Sequence, residues 1–140
     1  MFIYRRKTMK VKGFTLIELM VVILIVGILA AASVPMMRGR IDSAKWSEAN
    51  ATAGTIKSAV RVYFAEYGDA TPLIGALNDA TRQTLLGFNS ADLTGTYFGS
   101  SDYSITAVDG TSGQATVQVT GSQTNAPTGT KTLSATGSWN

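Results

Sequence analysis

The feature that most constrains this chain is an apolar run from Gly13 to Met37 in a sequence of 140 residues. The 24 residues from Phe14 to Met37 have three polar interruptions, namely Thr15, Glu18 and Ser33. Because about 20 apolar residues suffice for a helix to cross a bilayer, the run predicts a membrane-spanning helix. A buried core helix and a cleaved signal peptide are the alternatives. The run is long for a signal peptide, and the rest of the chain is small for burying such a helix.

The positive charge of the chain is concentrated ahead of this run. Of its 12 basic residues, five precede residue 14 and no acid does, so that the remainder carries seven basic and nine acidic side chains, a net charge of −2. A basic flank holds its side of a membrane helix in the cytoplasm. Residues 1–13 therefore form a basic leader, and no nucleic-acid partner is predicted for the rest of the chain.

The composition argues against most catalytic and metal chemistry. The chain has no Cys and no His, which removes Ser-His and Cys-His nucleophile pairs and the usual zinc ligands. Its acids are scattered. Asp102 and Asp109 are the nearest to calcium ligands, but turn positions explain both. We therefore predict no catalytic, cofactor-binding or metal-binding residue, no cofactor, and a protein that is not an enzyme.

The residues that join leader and run resemble a known signal. Lys12-Gly13-Phe14-Thr15-Leu16-Ile17-Glu18, followed by the apolar run, is similar to the class III signal of type IV pilins and type II secretion pseudopilins. The resemblance extends from about Lys12 to Tyr67. It implies cleavage between Gly13 and Phe14 by a prepilin peptidase on the cytoplasmic side, and N-methylation of the new Phe14 amino group. Pro35 lies where the family usually carries a proline.

Glu18 is an ionisable residue inside an apolar helix, which is rare. It lies four residues after Phe14, whose amine would reach the same depth after cleavage. One hypothesis is that Glu18 pairs with the Phe14 amine of its own or a neighbouring chain and sets the axial register of a filament. Breaking such a desolvated pair costs roughly 3–5 kcal/mol. The alternative is a carboxylate favoured by the helix dipole.

Two helix-weakening residues lie within the apolar run, Gly27 and Pro35. Glycine costs about 1 kcal/mol relative to alanine in a helix, and proline removes a backbone hydrogen bond. Two outcomes remain open. The helix loosens between Gly27 and Pro35 when it enters a filament, or it merely bends at Pro35.

The helical pattern continues to Tyr67 as an amphipathic stripe with spacings of three and four residues. Its members are Ala49, Ala53, Ile56, Val60, Tyr63 and Tyr67. Trp46 is interpreted as lying off this stripe, either partly exposed or against a neighbouring subunit. Arg38, Asp42, Lys45 and Glu48 are spaced for pairing on the helix surface.

Residues 68–140 are predicted to form a small head. A short helix is expected from Asn78 to Leu86, with strands at Thr96–Phe98, Tyr103–Val108, Gln114–Thr120 and Thr130–Thr136. The sheet face expected against the helix stripe comprises Ile105, Ala107, Val117, Val119 and Leu133. The predicted fold class is α+β: a long N-terminal helix, membrane-spanning in its first half, packed against an antiparallel sheet of three or four strands. The pilin resemblance implies the same fold. Many pilins close the C-terminal region with a disulfide, which this chain cannot form.

The expected domains are a leader (1–13), a transmembrane and filament-core segment (14–37), an amphipathic segment (38–67) and a head (68–140). The resemblance implies a prepilin that becomes a structural subunit of a type IV pilus. A type II secretion pseudopilin or minor pilin is the alternative within the family, and a single-pass anchored receptor or adhesin is the alternative outside it.

The resemblance to pilins implies four kinds of partner: identical subunits, inner-membrane lipid before assembly, the prepilin peptidase and N-methyltransferase, and the pilus assembly machinery. The implied location is the bacterial inner membrane for the precursor. The mature subunit is then expected in an extracellular filament or a periplasmic pseudopilus.

Overall fold

The computed structural model describes residues 13–140, so the basic leader up to Lys12 lies outside the described residues. Two helices and four strands follow in order: α1 (Leu16–Tyr67), β1 (Gly75–Ala76), α2 (Ala80–Leu85), β2 (Tyr103–Val108), β3 (Ala115–Thr120) and β4 (Thr130–Leu133). Short 3-10 turns occupy Thr71–Leu73 and Ser100–Asp102. The predicted α+β class, with one long N-terminal helix and a small antiparallel sheet, is confirmed. The chain divides into two compact units, one ending at Arg38 and one from Gly39 to Asn140.

The core of the second unit lies between α1 and the sheet. The helix contributes Ala49, Ala53, Ile56 and Val60, all fully buried. The predicted stripe is therefore confirmed over these four residues, whereas Tyr67 at the end of the helix is exposed.

The sheet order is β1-β2-β3-β4, with antiparallel pairing throughout. Ile105 pairs with Val117, and Val117 pairs with Leu133, so three of the predicted core residues lie side by side on the buried face. Val119 is buried on the same face. Since alternate residues of a strand share a face, this register fixes which side chains reach α1.

Ala107 was predicted to face the core, and this prediction is wrong because β2 contains a bulge. The register shifts between Ile105 and Ala107, which moves Ala107 to the exposed face. Val108 then pairs with Ala115, which is fully buried. An extra residue in one strand reverses the alternation beyond it, so Ala115 takes the core position expected for Ala107.

Two strand predictions also differ from the structure. Residues 96–98 form a loop rather than a strand, and the added strand is β1, whose Gly75 pairs with Ile105. At two residues long, β1 leaves no periodic signal in the sequence. β4 ends at Leu133 rather than Thr136, because the chain turns back between Ser134 and Gly137, where Gly137 N donates to Ser134 O at 3.0 Å.

The N-cap of the short helix α2 lies one residue later than predicted, at Asp79 and not at Asn78. Asp79 is the N-cap, and its Oδ1 accepts hydrogen bonds from Thr81 N at 2.9 Å and Arg82 N at 3.0 Å. Arg82 also donates to Ile74 O and Ala76 O on either side of Gly75. The pair Arg82–Asp79, at 3.4 Å, is the single ion pair among the residues described. The surface pairs predicted for residues 38–48 of α1 are therefore not formed.

The C-terminal residues fold back on β4 and on α1. Thr132 and Asn140 exchange two backbone hydrogen bonds, at 2.9 and 3.1 Å, and Trp139 bridges to Leu133. Lys57 Nζ donates to Ser134 O at 2.6 Å and to Ala135 O at 3.0 Å. Backbone pairing and contacts with α1 thus hold the C-terminal residues in a chain without cysteine.

Trp46 is part of the core, contrary to both sequence interpretations. It is 8% exposed, and its ring centroid lies 5.2 Å from that of Phe98. Trp46 precedes Ala49 by three residues, so it continues the spacing of the helix stripe instead of departing from it.

Candidate functional site

The start of α1 is stabilised by a capping box between Thr15 and Glu18. Thr15 N and Thr15 Oγ1 both donate to Glu18 Oε2 at 2.9 Å, and Glu18 N donates to Thr15 Oγ1 at 3.3 Å. Thr15 O accepts from Leu19 N at 3.4 Å, which begins the helical ladder. The two side chains thereby satisfy backbone groups that a helix start leaves unpaired.

Sequence reasoning singled out Glu18 but missed Thr15, its partner. The pattern Thr-x-x-Glu ahead of an apolar run is a recognised helix-start signal, and it is present here at residues 15–18. Both bonds from Thr15 go to Oε2, so that Oε1 has no hydrogen-bond donor among residues 13–140. One oxygen of this carboxylate therefore remains available to a further donor.

Gly13 and Phe14, the predicted cleavage positions, lie immediately before the helix. Both are exposed and outside regular secondary structure. Phe14 is 82% exposed, and no atom lies within 4 Å of the position that a Cβ on Gly13 would take. Exposed backbone outside an element is the kind that proteases reach.

The first unit continues as an apolar helix surface. Every large apolar side chain from Leu16 to Met37 is exposed. By length and composition this part of α1 is able to cross a membrane, a test that signal sequences near an N-terminus also pass. An apolar helix with no buried face is suited to lipid or to other apolar helices.

Gly27 and Pro35 lie inside α1, and the helix continues through both. Proline has no N–H, so the carbonyl of Ala31, four residues earlier, loses its usual donor. Two residues before the proline, Ser33 Oγ donates to Leu29 O at 2.8 Å. The structure places Pro35 17 residues from Glu18 along one helix, so the predicted assembly residues do not form a single cluster.

The acidic residues considered for calcium are hydrogen-bonded within the head. Asp102, 4% exposed, accepts from Gly99 N at 2.8 Å and from the backbone and hydroxyl of Ser122. Asp109 accepts from Thr111 N and Ser112 N, and the Ser112 side chain and backbone hold the pKa of Asp109 below its usual value. Among the residues described, no three acidic side chains gather as a metal site would require. Both aspartates therefore stabilise turns through hydrogen bonds.

Comparison with known proteins identifies the N-terminal segment. A family profile described as "Prokaryotic N-terminal methylation motif" matches residues 8–34. Similar proteins include the fimbrial protein EcpC of Eikenella corrodens, 49% identical over 57 residues, which are 41% of this chain and 37% of the relative. The type IV major pilin protein PilE1 of Neisseria gonorrhoeae is 53% identical over 57 residues, 41% and 34% of the two chains. Over its N-terminal segment, this chain is therefore similar to type IV pilins.

A further relative matches over a similar share of the chain. The type IV narrow pilus major component PilA5 of Thermus thermophilus is 46% identical over 54 residues, 39% of this chain and 47% of the relative. The chain spans about a third of the length of the Eikenella and Neisseria relatives that it matches. No solved structure matches the chain. The resemblance to type IV pilins that residues 13–18 predict is thus confirmed for the N-terminal segment.

Proposed function

We propose that this chain is a prepilin that becomes a structural subunit of a type IV pilus filament. The observation that carries the proposal is that the methylation motif at residues 8–34 coincides with an exposed apolar helix start. The relatives that share it are named as pilins or fimbrial proteins. In this proposal the chain performs no chemistry of its own and binds no cofactor.

Processing removes the leader between Gly13 and Phe14. The exposure of both residues, outside α1, supports access by a prepilin peptidase. Cleavage leaves Phe14 as the N-terminal residue, and its amine is then N-methylated. The mature chain consists of a transmembrane and filament-core segment (14–37), an amphipathic segment (38–67) and a head (68–140).

Glu18 fixes the position of the new N-terminus. Thr15 engages Oε2 alone, so Oε1 is left for the ammonium of Phe14 in the same or a neighbouring subunit. Apolar helices gain little from leaving lipid for one another by the hydrophobic effect, because lipid tails are equally apolar. A charge pair that forms in one axial register of neighbouring subunits and is broken in others therefore favours that register. An unpaired desolvated charge costs roughly 3–5 kcal/mol.

Pro35 is the second assembly residue in this proposal. The unbonded carbonyl of Ala31 makes the helix easier to deform between Gly27 and Pro35. The helix adjusts there, by loosening or by bending, when the chain passes from lipid into a bundle of identical helices. The precursor accordingly resides in the bacterial inner membrane, and the mature subunit in the filament, with the pilus assembly machinery moving it between the two.

The experiment compares filament assembly of Glu18→Ala with that of Ser33→Ala in cells that possess the machinery. Both substitutions remove a polar group from the same apolar run, but Ser33 bonds only within its own helix. We expect both proteins in the membrane fraction and filaments only from Ser33→Ala and the unmodified chain. Normal filaments from Glu18→Ala would contradict the role of this carboxylate.

A type II secretion pseudopilin or a minor pilin carries the same N-terminal segment, and the filament type produced in these cells distinguishes them. A single-pass anchored receptor or adhesin would remain monomeric in the membrane with its leader uncut.

A further inference from the structure

A groove in the second unit lies between residues 43–50 of α1 and two C-terminal residues, Lys131 of β4 and Trp139. It has a volume of about 200 Å³ and is lined by Ser43, Trp46, Ser47, Asn50, Lys131 and Trp139. Sites for drug-sized ligands are typically about 300–1,000 Å³. The groove is therefore sized for a single small ring. None of its six lining residues is acidic.

Lys131 gives the groove a positive charge that has no ion-pair partner among residues 13–140. Its Nζ lies 6.0 Å from the ring centroid of Trp46 and 5.8 Å from that of Trp139. No carboxylate lies within 4 Å of it in the part of the chain that the structure describes. It is also the only basic residue after Arg82. Two indole rings orient the ammonium but leave its hydrogen-bond donors for an anion.

The helix side of the groove offers neutral hydrogen-bonding groups. The Asn50 side chain has no protein partner among the described residues, so both its amide N–H groups and its carbonyl oxygen are available. Ser43 Oγ and Ser47 Oγ donate to helix carbonyls at 3.0 and 3.1 Å. Each hydroxyl therefore retains lone pairs that accept hydrogen bonds from a ligand.

The groove also contains two indole side chains, Trp46 from α1 and Trp139 near the C-terminus. Trp46 is 8% exposed, whereas Trp139 is half-buried and leaves more of its indole accessible. Indole surface suits the apolar C–H groups of a ring whose other substituents are polar. A ligand that matches all three features carries one negative charge, several hydroxyls and an apolar ring face.

We propose that this groove binds a sugar ring that bears a carboxylate, of the uronic or sialic acid type. The carboxylate pairs with Lys131, the hydroxyls bond with Asn50 and the serines, and the ring lies against Trp139. The inference rests on the second unit alone and holds whether or not the chain assembles into filaments. A filament of such subunits would present the groove repeatedly, which raises avidity without any new contact.

The chain is suited to a direct test, because its two tryptophans both line the groove. Full-length protein in non-ionic detergent is titrated with glucuronate, glucose and acetate while tryptophan fluorescence is recorded. We expect a saturable change with glucuronate at millimolar concentrations, at least tenfold weaker binding of glucose, and no saturation with acetate. Such weak binding corresponds to about −4 kcal/mol, a realistic value for one small ring.

Lys131→Gln should weaken glucuronate binding at least tenfold. Lys131→Arg keeps the charge and should keep the binding, which separates loss of charge from loss of fold. Arg61→Gln removes the same charge from an exposed residue outside the groove and should leave the titration unchanged. The proposal is overturned if glucuronate gives no saturable signal, if Lys131→Gln binds it as well as the unmodified chain, or if acetate binds as tightly as glucuronate.

Discussion

Trp46 and Trp139 pack edge to face, with ring centroids 6.1 Å apart and ring planes at 62°. The pair joins α1 to the last residues of the chain, 93 positions away in sequence. A second connection, from Lys57 to the carbonyls of Ser134 and Ala135, lies about three helical turns further along α1. In a chain without cysteine, these contacts together hold residues 134–139 against the helix.

Trp139→Ala should destabilise the head, because it removes half-buried indole surface from this contact. We expect a loss of about 1–3 kcal/mol, below the 3–5 kcal/mol typical of a fully buried aromatic residue. Urea unfolding of the full chain in detergent, followed by the fluorescence of Trp46, measures this loss. Trp139→Phe preserves an aromatic ring and should retain most of the stability; equal losses in the two variants would argue against ring packing.

Thr15→Ala should fray the start of α1, because the N-cap hydroxyl and its bonds with Glu18 are lost. Losing an N-cap of this type costs about 1 kcal/mol. Amide hydrogen exchange of residues 16–19 in detergent micelles should accelerate, while exchange beyond Gly27 stays unchanged. Thr15→Ser retains the hydroxyl and should exchange as the unmodified chain does. Unaltered exchange in Thr15→Ala would show that the capping box does not hold this end.

The head should lose stability at strongly alkaline pH because of Tyr103. Burial of its ring raises the pKa of Tyr103 to about 12, while a hydrogen bond with the Thr52 side chain opposes the shift. Since the pKa of tyrosine in the unfolded chain is about 10, the contribution of Tyr103 to the free energy of unfolding is fully present below pH 10. It declines as pH rises towards 12, by roughly 2 kcal/mol in all.

Tyr103→Phe should flatten this alkaline decline in urea unfolding measured between pH 9 and pH 12, a range set by the two pKa values. Tyr97→Phe, at a half-exposed position, is the matched control and should leave the decline in place. An equally steep decline in Tyr103→Phe would assign the pH dependence to other groups.

Glu48 and Gly95 should be energetically coupled. Glu48 Oε1 accepts from Tyr97 N at 3.0 Å and Phe98 N at 3.3 Å, which holds the 95–98 loop on α1. A Cβ on Gly95 would lie 2.7 Å from Glu48 Cδ, so Gly95→Ala forces the carboxylate away from the loop. Each single substitution, Gly95→Ala or Glu48→Ala, should cost about 1–3 kcal/mol.

A double-mutant cycle of these two residues should show that the double variant loses less than the sum of the single losses, because both disturb one contact. Urea midpoints of the four proteins provide the measurement, and strict additivity would contradict the coupling.

The long helix and the sheet were predictable because their patterns are periodic. Four stripe residues of α1 and the shared core face of Ile105, Val117 and Leu133 follow from spacing alone. The bulge that exposes Ala107 depends on pairing between strands, and β1 is two residues long, so neither leaves a periodic trace. Trp46 was misplaced although its spacing from Ala49 is regular. The packing partners that bury it, Phe98 and Trp139, are remote in sequence.

At the candidate site, Glu18 was singled out because an acidic residue in an apolar run is rare. The cleavage between Gly13 and Phe14 is a prediction that rests on the resemblance of residues 12–18 to the class III signal. The bond geometry at Thr15 required coordinates, because a sequence does not show which carboxylate oxygen is occupied. The lining of the sugar groove was likewise beyond sequence reasoning, since it combines one helix face with Lys131 and Trp139.

The proposed processing is tested most directly by mass spectrometry of the tryptic peptide that ends at Arg38. The protein is recovered from cells that contain a prepilin peptidase. Trypsin cuts after Lys12 and after Arg38, with no basic residue between them. We expect the peptide Phe14–Arg38 carrying one added methyl group, and Gly13–Arg38 only from cells that lack the peptidase. Recovery of Gly13–Arg38 from cells with an active peptidase would contradict the proposed processing.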